Sequence, residues 1–160
     1  MIYTVGYQRM RSNQALLHLA RSLDATVIDV RSRPSGRVKR GFSRADLEAA
    51  LGPSYRWAGD DLGGLGAGVT DAGIEWLLRF SCDHDVVLLC KEHAPGECHR
   101  HHDIALRVSQ PVLHIFDDEL VTAVELHRAI AEDDDYDIAA NVGEVIASET
   151  ARNQLEASLL

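Results

Sequence analysis

The chain has 160 residues, 46% hydrophobic and 26% charged, with a formal net charge of −9 at pH 7. That length suits one domain with a sizeable core, and no apolar run approaches the roughly 20 residues needed to span a bilayer. No signal-peptide pattern opens the chain, and three cysteines, two of them in one polar loop, argue against a disulfide framework and for a reducing, cytoplasmic setting.

Residues 2–5 read as a short buried strand. Ser12 is placed to cap a helix, because Ala15, Leu16, Leu19, Ala20 and Leu23 follow at helical spacing. Residues 25–30 are β-rich and read as a central strand. Ser43 and Asp46 have the capping-box spacing ahead of a helix carrying Leu47, Ala50 and Leu51. Residues 55–58 read as a short strand. Gly63, Gly64, Gly66 and Gly68 make 60–70 a loop. Thr70 can cap a helix with Ile74, Leu77 and Leu78 on one face, and Cys82 near its end reads as a structural thiol. A strand at 86–89, a helix after Cys98, a strand at 111–116 and a helix over 120–130, carrying Leu120, Val121, Val124, Leu126 and Ile130, complete the series.

Strand and helix alternate, and the strands are almost continuously apolar. That combination predicts an α/β fold in three layers, a mostly parallel sheet with helices on both faces. The α/β domain is expected to occupy residues 1–131. Residues 132–160 carry −7 of the net charge, leaving −2 for the rest. They read as an acidic helical extension packed on the domain or on a partner.

In a parallel sheet the C-terminal strand ends share one edge, and chemistry collects there. Three loops meet on it: one after Gly6 and Tyr7, with Arg9 and Arg11; one after Asp29, with Arg31 and Arg33; and one at 90–100. The second opens a basic island of Arg31, Arg33, Arg37, Lys39, Arg40 and Arg44 with no acid among them. An anionic partner, a nucleotide or nucleic acid, is expected there. The plainer alternative is a solvated loop that pairs with the acidic tail. Arg31, Arg33 and Arg100, with Gly6 and Tyr7, are the candidate binding residues.

The third loop concentrates reactive groups: Cys90, Lys91, Glu92, His93, Cys98, His99 and Arg100. Pro95-Gly96 favours a helix start near Cys98, where unpaired N–H groups would lower a thiol's pKa. Cys90 and Cys98 are candidate nucleophiles, His99 and Glu92 candidate acid/base groups, and Asp29 a residue to orient an arginine or a base. No cofactor is required by this reading. The alternative is a zinc site of Cys90, His93, Cys98 and His102, although only four residues separate the two pairs. His101 and His102 read as surface residues of the first helical turn, and His18, His84, His114 and His127 as ordinary packing or surface residues.

Thr4-Val5-Gly6-Tyr7, Ile28 to Pro34, Phe42, Leu62-Gly63-Gly64, and Leu89-Cys90-Lys91-Glu92 with Cys98-His99-Arg100 together resemble the family catalogued as domain of unknown function 488. The resemblance covers about residues 1–116 and implies an α/β fold without supplying an activity. That family usually has His where Tyr7 stands, and His93 and His102 are not among its motif positions. Asp29-Val30-Arg31 followed by Cys90 after a later strand also resembles the layout of rhodanese-type sulfurtransferases, a likeness at the level of fold only. The expected function is an enzyme acting on a phosphate-bearing substrate in a cationic, thiol-containing pocket. The alternatives are a persulfide-forming sulfurtransferase and a non-catalytic nucleic-acid-binding module.

Overall fold

Ile2–Gly6 (β1), Ala25–Asp29 (β2), Tyr55–Trp57 (β3), Asp85–Cys90 (β4), Val112–Phe116 (β5) and Glu119–Thr122 (β6) form one sheet in the order β3-β2-β4-β1-β5-β6. All neighbours are parallel except β5 and β6. The computed structural model describes residues 1–117 and 119–132, so most of the acidic helical extension expected over 132–160 lies outside the described residues. Among the described residues no helix is long and apolar enough to cross a membrane.

Alternation along the strands sends successive side chains to opposite faces. Tyr3, Val5, Val27, Val87 and Leu89 face one layer, built from Asn13–Ser22 (α1) and Arg44–Leu51 (α2). Ile2, Ile28, Val86, Leu88 and Cys90 face the other, against Asp71–Asp83 (α3) and the π-helical turn Arg100–Ala105. Leu16 and Leu47, both fully buried, each contribute about 1.5–3 kcal/mol by leaving water.

The helix starts follow from local hydrogen bonds. Ser12 accepts from Ala15 N at 3.4 Å, and Thr70 accepts from Gly73 N at 3.0 Å. Ser43 and Asp46 close a reciprocal capping box.

The expected helix over 120–130 is instead a strand followed by a helix, Ala123–Glu132 (α4). Phe116 pairs with Glu119, and Asp117 has φ 46°. Leu120 and Val121 are both buried but join different apolar clusters, as adjacent strand residues do. Thr122 and Glu125 then form a second capping box, with Glu125 N donating to Thr122 Oγ1 at 3.1 Å and Thr122 N to Glu125 Oε2 at 3.2 Å. Cys82 is corrected too. It is exposed on α3, with Sγ 3.2 Å from Leu78 O, so it is not a core thiol.

Two histidines read as unremarkable are fully buried together. Arg100 Nε donates to Thr4 Oγ1 at 3.2 Å, and Thr4 Oγ1 is hydrogen-bonded to His114 Nδ1 at 2.7 Å. His114 Nε2 is in turn hydrogen-bonded to His101 Nδ1 at 3.0 Å. His101 is therefore a core residue and not a surface one, and its Nε2 has no hydrogen-bond partner among the described residues. Burial, reinforced by the nearby His102, His127 and Arg100, pushes His101 down to about 4, and burial with His101 and Arg100 nearby pushes His114 down as well. Both rings charge readily only after unfolding. The unfolded chain thus binds more protons below about pH 6.5, and stability falls as pH drops from there toward about 4. Urea titrations should show a loss of about 3 kcal/mol across that window from His101 alone, with His114 adding to it. A loss that begins only below pH 5, where carboxylates titrate, would remove the histidines as its cause.

Candidate active site

β4 is the central strand of the site. Its neighbours β1 and β2 lead into α1 and α2 on one face, whereas β4 leads into the π-helical turn on the other. Connections that diverge to opposite faces leave a crevice at the strand ends. Gly6 stands opposite Cys90 in the register, and Asp29 opposite Leu89, so the three expected loops do meet there. Gln8 N donates to Lys91 O at 3.1 Å, and Val30 N to Leu89 O at 3.0 Å. Gly6 is required by this closeness, because a Cβ there would lie 1.8 Å from Glu92 O.

The crevice opens as a cavity of about 450 Å³ lined by Tyr7, Arg31, Arg33, Lys91 and Glu92, with Cys90, Cys98 and His99 at its base. A larger cavity of about 600 Å³ lies at the opposite, N-terminal edge, away from these groups. Cys90 and Cys98 are both 3% exposed. Glu92 Oε2 lies 3.1 Å from Cys90 Sγ and 3.2 Å from Cys98 Sγ. His99 Nδ1 lies 3.8 and 3.7 Å from the same two sulfurs.

The His99 ring is held from behind. Its Nε2 lies 3.1 Å from both Val30 O and Leu62 O. Carbonyls only accept, so Nε2 carries a proton and, in the neutral ring, the Nδ1 lone pair faces the thiols. Gly64 lies flat against the ring, where a Cβ would come 2.7 Å from Cγ. Gly63 packs equally tightly on Ser32, and Ser32 Oγ accepts from Leu65 N at 3.0 Å. The glycines read only as loop residues thus build the wall that seats the imidazole.

No family model, curated protein or solved structure matches this chain. The meaning of the site therefore rests on its chemistry.

The two sulfurs divide their protons unequally. The hydrogen bond from Cys90 lowers Cys98 to about 5 against the opposing effect of burial, with help from His99 and Arg100. The same hydrogen bond, burial and the neighbouring Glu92 push the Cys90 thiol up. Glu92 is held down to about 2: burial opposes this, but hydrogen bonds from Cys90 and its own backbone N–H, with the Lys91 charge nearby, outweigh it. His99 is raised. Burial disfavours its charge, but Cys98 and the two carbonyls more than compensate. The cluster therefore offers a thiolate, a thiol, a carboxylate and an imidazole within reach of one another.

Cys98 is not at the start of a conventional helix. It is extended and precedes a π-helical turn of six residues, too short for a strong dipole. Its thiolate is supported mainly by side chains, with the Arg100 backbone N–H adding to them.

The arginines divide by burial. Arg31 is 7% exposed and paired with the fully buried Asp29, through Nε to Oδ1 at 2.8 Å and NH2 to Oδ2 at 2.6 Å. Its NH1 donates to Phe42 O at 2.9 Å, and its guanidinium lies over the Tyr7 ring, itself stacked on Phe42. Two of its five N–H groups remain for a ligand. Asp29 orients Arg31, as expected of it, but sits beneath the pocket and cannot touch a ligand.

Arg100 does not face the pocket at all. It is fully buried, with NH1 on Glu92 O at 2.7 Å and NH2 on His93 O at 2.9 Å. Its expected role as an anion ligand is corrected to that of a clamp on the 90–100 loop, because its buried guanidinium is occupied by those two carbonyls. Arg33 is exposed and lines the cavity, and Lys91 lies beside Glu92 Oε1 at 3.6 Å. Arg9 instead pairs with Asp117 at 3.6 Å.

The zinc set read from spacing does not assemble. His93 is tilted against the Phe116 ring, with Nε2 3.0 Å from Asp117 Oδ1 but without hydrogen-bond alignment. His102 Nε2 is engaged by Gly96 O at 2.6 Å. The group that does assemble is Cys90, Cys98 and His99.

Proposed function

We propose that this cavity is the active site of an enzyme acting on a phosphate-bearing substrate, a nucleotide or nucleic acid. The observation that carries the reading is the meeting of Arg31, Arg33 and Lys91 with the Cys90–Glu92–Cys98–His99 cluster in one cavity at the end of the central strand. Arg33 and Lys91 supply the mobile charge, and Arg31, fixed by Asp29, supplies directed N–H groups. The cluster below them is the reacting centre. Arg37 and Arg40, exposed on the same loop, extend the cationic surface and favour a polymer over a free nucleotide.

Sulfur transfer through a Cys90 persulfide is served less well. Glu92 Oε2 stands 3.1 Å from that sulfur, and a carboxylate there opposes an anionic persulfide. The non-catalytic module shares the cationic surface and is separated by turnover, since it is indifferent to the cysteines.

The test is binding of a nucleotide and short-oligonucleotide panel at two salt concentrations, with product analysis. Arg33→Ala and Lys91→Ala should each weaken binding about tenfold, equivalent to about 1.4 kcal/mol. Cys98→Ser should leave binding near wild type and abolish turnover. Binding indifferent to Arg33 and Lys91 would sink the reading, and binding without any turnover would favour the non-catalytic module.

A further inference from the structure

The geometry points to a divalent cation of the zinc class bound by Cys90 Sγ, Cys98 Sγ and His99 Nδ1, with the Glu92 carboxylate at the fourth, pocket-facing position. This deepens the proposed function and rests on its reading of the cluster as the reacting centre. The three first donors lie within 4.8 Å of one another. Zinc–sulfur bonds of about 2.3 Å and zinc–nitrogen bonds of about 2.0 Å at tetrahedral angles require ligand–ligand edges of about 3.5–3.8 Å. The two sulfur–nitrogen separations are 3.8 and 3.7 Å, and the two sulfur–carboxylate separations are 3.1 and 3.2 Å. Cys90, Cys98 and His99 therefore need only small displacements to close on an ion, whereas Glu92, close to both sulfurs but outside the group within 4.8 Å, has to swing toward the imidazole to complete the tetrahedron.

Three further features match a metal centre better than a plain dithiol. The ring nitrogen remote from the sulfurs is anchored by Val30 O and Leu62 O, the outer support that fixes a ligating histidine. Arg100 brings a buried positive charge beside the cluster through its clamp on Glu92 O, which offsets the excess negative charge of two thiolates and a carboxylate around a divalent ion. Two thiolates and an imidazole are a borderline-soft set, which selects zinc over magnesium or calcium. Two cysteines and one histidine are also the protein ligands of a catalytic zinc with an open fourth position. Here that position faces the cavity holding Arg33 and Lys91, where a phosphate oxygen could replace Glu92.

Cobalt(II) added to the metal-free, reduced full chain is the direct probe. One equivalent should produce tetrahedral ligand-field bands and a thiolate-to-cobalt charge-transfer band, and one equivalent of zinc should bleach both. Cys90→Ser, Cys98→Ser and His99→Gln should each weaken cobalt binding more than tenfold, whereas His93→Gln and His102→Gln should leave it unchanged. Folding of each variant is checked by circular dichroism, and a readout on the unaltered chain stands beside it. Zinc should protect Cys90 and Cys98 from iodoacetamide while exposed Cys82 still reacts. No tetrahedral cobalt spectrum, or alkylation of Cys90 and Cys98 unchanged by zinc, overturns the site. Oligonucleotide binding retained in metal-free protein would leave the proposed function standing if the metal site failed, and cobalt binding without any oligonucleotide binding would do the reverse.

Discussion

Asp29→Asn should cost this fold about 3–5 kcal/mol. Asp29 is fully buried and accepts four hydrogen bonds: from Arg31 N at 3.1 Å, Nε at 2.8 Å and NH2 at 2.6 Å, and from the Tyr55 hydroxyl at 2.8 Å. Asparagine keeps the shape but removes the charge, and leaves the Arg31 guanidinium in the protein without its counter-ion. Its amide also places donors where the carboxylate only accepted. The shift in melting temperature should be on the order of 10 °C for a domain of this size. Removing both partners tests the cause. In Asp29→Asn/Arg31→Met the buried cation is gone, so the double variant should be more stable than Asp29→Asn alone. Chemical denaturation of the four proteins gives the coupling directly, and additive losses would show that charge compensation is not what Asp29 provides.

That pair also shows how far the sequence reaches. Asp29-Val30-Arg31 at a strand end marked the position, and the order of strands and helices up to β5 follows from apolar runs and caps that act over a few residues. Ser43 with Asp46 was legible for the same reason. Thr122 with Glu125 is the same device, and it starts α4 at Ala123 rather than Leu120. What sequence spacing cannot carry is direction. Both Arg31 and Arg100 read as ligands for an anion, but one lines the cavity and the other is held in the core by two carbonyls of its own loop and by Thr4, 96 positions away in the chain. His101 reads as a surface residue of the first helical turn. Its burial depends on His114 of β5, which no local pattern connects to it.

The same limit governed the metal ligands. Spacing of four favoured Cys98 with His102, on the assumption of a regular helix after Cys98. The π-helical turn breaks that assumption: it turns His102 toward Gly96 O and leaves His99, adjacent to Cys98 in sequence, to face the sulfurs. The glycines that make room for His99 were visible as Gly63-Gly64, but only the fold shows that the ring needs them.

Arg100→Met should separate the two things this arginine does, and it should cost about 3–5 kcal/mol. Methionine fills part of the space but leaves Glu92 O, His93 O and the Thr4 hydroxyl without their shared donor inside the protein. Each unsatisfied buried acceptor costs about 1–3 kcal/mol, and the loop that carries Cys90, Glu92 and Cys98 loses its anchor. Arg100 also lowers the Cys98 thiol by its charge, so in metal-free protein the variant's thiol should titrate at higher pH than the wild type's value of about 5. Arg100→Lys divides these effects. An ammonium keeps the charge but cannot span two carbonyls as a planar fork does. Lysine should therefore restore much of the low thiol pKa, read from the pH dependence of alkylation, while recovering little of the stability read from urea unfolding. If lysine recovered stability as well, the guanidinium would matter as a charge alone, and the clamp on Glu92 and His93 would not be what holds the loop over Gly6.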